Sequence, residues 1–137
     1  MKTIKFEIVT PEKTVLKEEI NQITIPTKDG EITVLPNHIP LVSILVPGEI
    51  IIKKGNEEFS MSVSGGFVEV LVDKVVILAD TAERAEEIDE KRAEEARKRA
   101  EKIKKEKTVD SREFAALSTK IEKELARIKV ARKRKQI

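Results

Sequence analysis

Residues 74–107 read KVVILADTAERAEEIDEKRAEEARKRAEKIKKEK, and the pattern of apolar residues changes within this stretch. Up to Asp80 the apolar residues follow one another directly and are rich in valine and isoleucine, which is typical of a strand. From residue 85 to residue 107 neither Gly nor Pro occurs, and Ala93, Ala96 and Ala100 recur at helical steps. Several glutamates precede a Lys or Arg by four residues, a spacing that stabilises helices. The stretch therefore predicts a helix over residues 85–107 that follows a region of strands.

The region before Asp80 alternates apolar and polar residues with a period of two. Ile4, Phe6 and Ile8 alternate with charged residues, and turn-forming residues recur at 28–30, 47–48, 54–56 and 72–74. Many short strands separated by such turns are typical of a sandwich or flattened barrel. No segment with helical periodicity interrupts them. Residues 1–84 are therefore predicted to form an antiparallel β-sandwich of about 8–10 strands.

A second helix is predicted after a break near residues 107–109. Asp110 followed by Glu113 resembles a capping box. The apolar residues then recur at steps of three and four, which predicts one buried face composed of Phe114, Leu117, Ile121, Leu125 and Ile128. The short connection indicates an antiparallel hairpin. The predicted fold class is β + α, with a sandwich over residues 1–84 and a helical hairpin over residues 85–137.

The seam between the two helices offers few large side chains, because the first helix contributes mostly alanine. Each large apolar side chain stabilises by about 1.5–3 kcal/mol when fully buried, whereas ordering each residue costs about 1–2 kcal/mol. Such a hairpin is marginal unless it docks on another surface. Marginal docking allows a ligand or partner to shift the hairpin between two positions.

Charge is distributed unevenly along the chain. Residues 1–84 hold 9 basic and 13 acidic side chains (net −4), whereas residues 85–137 hold 18 and 12 (net +6). The absence of cysteine excludes disulfides and thiolate metal sites. The chain contains no run of about 18 apolar residues and no charged-then-apolar leader. We therefore expect a cytosolic protein, or one attached to a membrane only through partners.

An enzyme is disfavoured because the sequence offers no set of catalytic groups. His38, the only histidine, cannot build a metal site alone. Gly65-Gly66 is not followed by the Lys-Ser/Thr of a P-loop, so a strand bend explains it better. A nucleic-acid-binding or scaffold module that uses the basic helix is the alternative. The absence of Trp and Tyr, with only four Phe, leaves little for base stacking.

Asp89 and Arg92 permit two interpretations. Asp89 can cap the first helix by accepting backbone N–H bonds, with Arg92 as a solvated surface charge. Alternatively, Arg92 and Arg99, seven residues apart on one helix face, suit a polyanion.

Several stretches together resemble one family. They are GEITVLPNHIPL at 30–41 with PG at 47–48, VSGGFVEV at 63–70 with LADTA at 78–82, and IDEKRA at 88–93. In this order they resemble the ε subunit of the bacterial F-type ATP synthase, over essentially the whole chain.

The resemblance implies a non-catalytic rotor subunit on the cytoplasmic face of the membrane, held there through the synthase complex. Its sandwich would contact the γ subunit and the polar loops of the c-ring, with Glu31 and His38 as candidate contacts. Its hairpin would either fold on the sandwich or extend toward the catalytic α and β subunits and block ATP hydrolysis. The cations near the C-terminus would then face an acidic surface of β: Lys129, Arg132, Lys133, Arg134 and Lys135.

The resemblance also implies that the folded hairpin binds ATP as a regulatory ligand. Lys123 departs from the relatives, which tend to have an arginine there, and lysine supplies a point charge rather than a planar fork. No metal is required by the sequence. The candidate ATP-binding residues are Glu83, Ile88, Asp89, Arg92, Ala93, Arg99, Lys123 and Arg127.

Overall fold

The computed structural model describes residues 2–106 and 110–135, with the backbone alone at residues 106, 134 and 135. Ten strands come first in this part of the chain, followed by a 3-10 helix at Ala85–Glu87 and two long helices, α1 (Glu90–Glu106) and α2 (Ser111–Lys135). The strands are β1 (Ile4–Val9), β2 (Thr14–Ile20), β3 (Gln22–Thr27), β4 (Gly30–Val34), β5 (Leu41–Leu45), β6 (Gly48–Lys54), β7 (Glu57–Val63), β8 (Gly66–Val70), β9 (Lys74–Ala79) and β10 (Ala82–Arg84). The predicted fold class, a sandwich followed by two helices, is confirmed.

The strands form one continuous path that folds back on itself. Hydrogen-bonded neighbours follow the order β10-β7-β6-β3-β5-β8-β9-β1-β2, and β4 pairs with β3. β2, at the far end of this path, also packs on β6, so the two layers enclose a core. Among the described pairs only β1–β9 is parallel, which departs from the antiparallel prediction. No hairpin joins these two strands, because seven strands lie between them in the chain, so no tight turn dictates their direction.

The core follows from the alternation in the sequence. Ile4, Phe6 and Ile8 are each no more than 1% exposed, as the period of two predicts. Met61 and Val63 of β7 are equally buried, and all five belong to one apolar cluster within the sandwich. The sandwich therefore has a core of its own, independent of the helices.

Gly65 and Gly66 allow the chain to bend where β8 begins. Their φ angles are +125° and +140°, a region that side chains disfavour. A Cβ on Gly66 would lie 1.9 Å from the carbonyl oxygen of Leu78, far inside contact distance. Glycine is therefore required for β8 to approach β9, which agrees with a strand bend rather than a phosphate-binding loop.

The first helix begins later than predicted. Residues 82–84 pair with β7 as a short strand, and residues 85–87 form only a 3-10 turn. Ile88 remains extended, and α1 begins at Glu90. The prediction of a helix from residue 85 is wrong because the 3-10 turn packs on α2 and β7 and the cap at Asp89 sets the start of α1. The predicted break at residues 107–109 lies outside the described residues.

The second helix begins at its predicted cap but buries a different face. The backbone N–H of Glu113 donates to Asp110 Oδ1 at 2.8 Å, so the predicted cap is confirmed. Leu125, predicted in the helix seam, is 47% exposed, and Phe114 is 49% exposed. Ile128 of the predicted face is buried, but Ala126 and Val130, which lie outside that face, are buried as well. The single-face prediction is wrong because α2 packs on α1 and on β6 and β7 together.

Candidate functional site

The hairpin is docked on the sandwich through α2. This helix contacts β6, β7 and the 3-10 helix, and its Val130 is completely buried. At the other end of the hairpin, Lys104 donates to Ser118 Oγ at 3.0 Å and lies 4.2 Å from the centre of the Phe114 ring. The described conformation is therefore the compact one, in which α1 lies on α2 and α2 lies on the sheet.

Arg127 is the centre of an ion-pair network between α2 and the sandwich. Its Nε lies 2.7 Å from Glu83 Oε1, and its Nη2 donates to Glu83 Oε2 at 3.2 Å. Its Nη1 donates to Glu124 Oε2 at 2.8 Å. Burial opposes the charge on Arg127, but the hydrogen bonds and charges of Glu83 and Glu124 outweigh it and raise the pKa of the guanidinium. The structure thus brings together two predicted site residues, Glu83 and Arg127.

Asp89 acts as the N-cap of α1. Its Oδ1 accepts the backbone N–H of Arg92 at 3.1 Å, and its carbonyl accepts the N–H of Ala93 at 3.0 Å. Ala93 is completely buried, whereas Ile88 is half-buried. The Asp89 carboxylate therefore has a structural role that requires no ligand.

Arg92 and Arg99 project from one flank of α1. Both are exposed, and neither makes an ion pair in the part of the chain that the structure describes. Arg132 of α2 pairs with Glu90 at 2.7 Å and with Glu94 at 3.1 Å. These two glutamates lie about 200° around the helix from Arg92, so Arg92 and Arg99 occupy the other flank of the hairpin.

Arg127 lies on that same flank of the hairpin as Arg92. It is five residues before Arg132, which is about 140° around α2, and it faces Glu83 of β10 rather than Glu90. Lys123 is half-buried one helical turn before Arg127 and makes no ion pair among the described residues. Arg127 and Lys123 thus lie away from the flank on which Arg132 pairs with Glu90 and Glu94.

The opposite flank is held by paired charges along α1. Arg97 donates to the carboxylates of Glu94 and Glu101, the latter at 3.0 Å. The hydrogen bond from Arg97 lowers the pKa of Glu94. Arg97 and Arg132 on this flank are thus both paired with carboxylates of the chain.

The basic end of α2 is engaged within the chain. Lys129 Nζ lies 3.6 Å from Glu49 Oε1, and Lys133 Nζ lies 3.4 Å from Glu49 Oε2. The Glu49 side chain is only 5% exposed, on β6. The side chains of Arg134 and Lys135 lie outside the described residues. In this conformation the three predicted partner contacts Lys129, Arg132 and Lys133 thus all bind carboxylates of their own chain.

Glu31 and His38 lie on the sandwich, away from this network. Glu31 is exposed on β4 opposite Pro26, and His38 Nδ1 lies 2.6 Å from the carbonyl oxygen of Ile39. Asn37, just before the histidine, has a φ of +67°, which marks a tight turn. Neither residue contacts the predicted nucleotide set.

Sequence reasoning missed an exposed apolar row on the sandwich. Ile44, Phe67 and Leu78 are opposite one another on β5, β8 and β9 and are 45–56% exposed. Val42 adds to this surface with 72% exposed. The signal was present in the uninterrupted apolar run at residues 75–79, since a strand with one solvated face should alternate. Contiguous exposed apolar surface of this kind marks an interaction site.

Reasoning from sequence also missed Glu49 and Glu124, whose side chains are 5% and 6% exposed. Both are acidic residues in segments rich in charge, so no local pattern distinguishes them from surface glutamates. Their roles arise from partners that only the docked hairpin supplies.

The predicted nucleotide residues meet the requirements of a phosphate ligand only in part. Arg92, Arg99 and Lys123 supply cations without ion pairs, as phosphate binding requires. Arg127 is already held by two carboxylates. A cavity of 510 Å³ between β7 and the end of α2 is lined by none of these four cations, and carboxylates outnumber cations around it. That cavity is therefore distinct from the predicted site.

Within residues 2–106 and 110–135, no group of three or more His, Asp or Glu side chains could hold a metal ion. None of the described helices has the length and hydropathy needed to span a bilayer.

Comparison with known proteins gives a consistent family. Residues 3–85 match the β-sandwich domain of the ATP synthase delta/epsilon chain, and residues 86–132 match its long α-helix domain. The ATP synthase epsilon chain of Chloroflexus aggregans is 48% identical over 128 residues, which covers 93% of this chain and 91% of the relative. That of Dehalococcoides mccartyi is 46% identical over 136 residues, covering 99% and 97%.

Solved structures agree with this result. A chain of the Euglena gracilis mitochondrial ATP synthase, in a structure of the OSCP/F1/c-ring part, superposes with a TM-score of 0.79 at 26% identity and covers 90% of this chain and 78% of that one. A chain from the central stalk and c-ring of the Tetrahymena thermophila enzyme shares the fold, with a TM-score of 0.60 at 17% identity over 97% and 96% of the two chains. The chain belongs to the epsilon-subunit family of ATP synthase.

Proposed function

We propose that this chain is a non-catalytic central-stalk subunit of the F-type ATP synthase that restrains ATP hydrolysis through its hairpin. The sandwich would attach to the rotor, and the hairpin would leave the sandwich to reach the catalytic α and β subunits. In that position the whole protein lies peripherally on the cytoplasmic face of the membrane, through the complex alone.

The observation that carries this proposal is the internal pairing of the basic end of α2. Lys129 and Lys133 face Glu49, and Arg132 faces Glu90 and Glu94. While the hairpin is docked, these cations are engaged and unavailable to an acidic surface of the β subunit. Undocking exposes them together, so docking and inhibition exclude one another.

The same pairing weakens the nucleic-acid alternative. A polyanion-binding helix presents unpaired cations, whereas the three described cations at the end of α2 are each within 4 Å of a carboxylate of the chain.

The sandwich provides two surfaces suited to the rotor. The apolar row of Ile44, Phe67 and Leu78 suits the γ subunit, because exposed apolar surface is stabilised when a partner covers it. Glu31 on β4 and His38 in the turn after it are polar groups, which suits contact with the polar loops of the c-ring.

ATP would bind the compact hairpin as a regulatory ligand. Arg92 and Arg99 of α1, with Lys123 of α2, would hold its phosphates from one flank of the hairpin. Ile88, half-buried just before α1, would border the adenine side, whereas Ala93 is fully buried against the rest of the hairpin and would support that surface from beneath. A ligand that spans α1 and α2 favours the compact state over the extended one, since extension separates its contacts.

Truncation of the hairpin tests the inhibitory role. In a complex reconstituted from all partner subunits, deletion of residues 88–137 should leave assembly intact, because the sandwich has its own core, and should raise ATP hydrolysis. A full-length variant with Lys129, Arg132 and Lys133 changed to Gln should also raise hydrolysis, because the undocked hairpin lacks the cations that hold it to β even though the same changes weaken docking.

The matched control changes Lys91, Lys98 and Lys102 to Gln, which removes the same charge from exposed positions of α1. Hydrolysis unchanged by the truncation would refute the inhibitory role, and an equal increase in the control would attribute the effect to net charge alone.

A further inference from the structure

Arg127 carries one positive charge and forms ion pairs with two carboxylates, those of Glu83 and Glu124. A guanidinium offers two edges for bidentate binding of a carboxylate or phosphate. Glu83 faces the Nε/Nη2 edge, with Oε1 2.7 Å from Nε and Oε2 accepting from Nη2, and Glu124 accepts from Nη1. Both edges of Arg127 therefore already face a carboxylate in this conformation.

The two carboxylates differ in what they hold together. Glu83 lies on β10, 44 residues before Arg127, so its ion pair joins the sandwich to the hairpin. Glu124 lies one turn before Arg127 on the same helix, so its ion pair joins no two elements. Glu124 nonetheless has only 6% of its side chain exposed, and burying a carboxylate is costly. Glu83 alone is sufficient to join α2 to the sandwich, so Glu124 adds a second negative charge without adding a link between elements.

The remaining cations on this flank lack such competitors. Arg92, Arg99 and Lys123 make no ion pair among the described residues. Arg127 anchors the α2 side of the predicted site to the sandwich. Glu124 is the neighbouring carboxylate that neutralises its charge.

We propose that Glu124 is an internal competitor of phosphate at Arg127 and sets the nucleotide affinity of the docked hairpin. This inference rests on the proposed ATP site. A triphosphate must displace the Glu124 carboxylate before it contacts Arg127, and the displaced carboxylate then stays close to the bound anion. The charge of Arg127 is consequently neutralised in the docked hairpin without nucleotide, and the affinity of this hairpin for ATP is low.

Calorimetric titration of ATP into the full-length isolated chain tests this proposal. Glu124→Gln keeps the size of the side chain and removes its charge. Because one hydrogen bond to a charged group is worth about 1.5–3 kcal/mol, Glu124→Gln should tighten ATP binding by about tenfold or more. Inorganic triphosphate should show the same ratio and adenosine should show none, since Glu124 acts on the phosphate.

Glu122→Gln is the matched control. Glu122 is exposed two residues earlier on α2 and makes no ion pair within the described part of the chain. The substitution Glu122→Gln removes the same formal charge from a residue that does not contact Arg127. Because solvent and salt screen exposed charges, this substitution should change ATP affinity by less than about twofold. Arg127→Gln should abolish the gain from Glu124→Gln, because the competition takes place at that guanidinium.

The outcomes separate this inference from the proposed ATP site. Equal tightening by Glu124→Gln and Glu122→Gln, or wild-type affinity in Glu124→Gln, would overturn the competitor role while leaving the ATP site standing. No binding of ATP or triphosphate by any variant would overturn both. Should far-UV circular dichroism reveal helix loss in Glu124→Gln, Glu124→Ala repeats the test with the best helix-forming residue.

Discussion

Asp89 occupies a position where a single side chain satisfies the backbone of α1. Its carboxylate accepts the Arg92 N–H, one of the N–H groups that the first turn of a helix leaves without an intrahelical partner. Arg92 itself projects into solvent with its guanidinium unpaired among the described residues. The capping role of Asp89 and the phosphate-binding role proposed for Arg92 are therefore compatible, because different atoms serve each role.

Replacement of Asp89 should separate these roles. Asp89→Ala should lower the free energy of unfolding of the hairpin by about 1 kcal/mol, whereas Asp89→Asn should cost only a few tenths because asparagine caps equally well. Urea denaturation followed by helical circular dichroism measures both. A loss in Asp89→Asn as large as that in Asp89→Ala would show that the charge, and not the cap, stabilises this end.

α2 docks on the sandwich through both apolar contacts and ion pairs. Ala126 and Val130 are buried, whereas Lys129 and Lys133 approach a Glu49 carboxylate that is almost fully buried. Both lysines are partly exposed, so each ion pair is worth at most about 1 kcal/mol. The buried partner makes the network asymmetric, since removal of the lysines leaves a carboxylate without counter-ions.

This asymmetry predicts an order among variants. Glu49→Gln should weaken docking by less than about 1 kcal/mol, while the double change of Lys129 and Lys133 to Gln should weaken it by about 1–3 kcal/mol because it strands Glu49. Hydrogen exchange of the α2 amides measures the opening free energy in each case. Glu69→Gln, an exposed change on β8, is the control. A larger effect from Glu49→Gln than from the lysine pair would contradict the stranded-carboxylate explanation.

At the scale of the whole molecule, the surface that binds the hairpin and the exposed apolar row lie on different strands. The hairpin covers β6 and β7, whereas the apolar row lies on β5, β8 and β9. A partner that covers the row therefore need not displace the hairpin. This arrangement allows permanent attachment through one surface and reversible docking through the other.

Phe67→Asp should separate attachment from docking. The charge would be desolvated in an interface, so affinity for the γ subunit should fall by about tenfold or more, while helical content and stability of the isolated chain stay nearly unchanged because Phe67 is 56% exposed. Co-purification with γ and surface-immobilised binding measure the loss. Leu125→Asp, an equally exposed apolar position on α2, should leave γ binding intact. Equal losses in both variants would place the contact elsewhere.

The sequence by itself determined those features that depend on neighbours within a few residues. The alternation of Ile4, Phe6 and Ile8 predicted a strand and its buried face, and Asp110 predicted the start of α2. The predicted set Glu83 and Arg127 also meets in the structure, although the resemblance to a family, rather than any local pattern, paired them.

Only the tertiary structure decided how the two halves meet. Residues 85–89 have helical composition but form a 3-10 turn and an extended segment packed on α2 and β7, so α1 begins only at Glu90. The helix α2 carries apolar residues on more than one side, so its periodicity could not say that Val130 would be buried and Leu125 exposed. The same docking angle creates the pairs of Glu49 with Lys133 and of Glu83 with Arg127, which lie far apart in the chain. Periodicity shows which side chains share a face of one helix or strand. Ion pairs between elements depend instead on how a whole helix packs against a sheet.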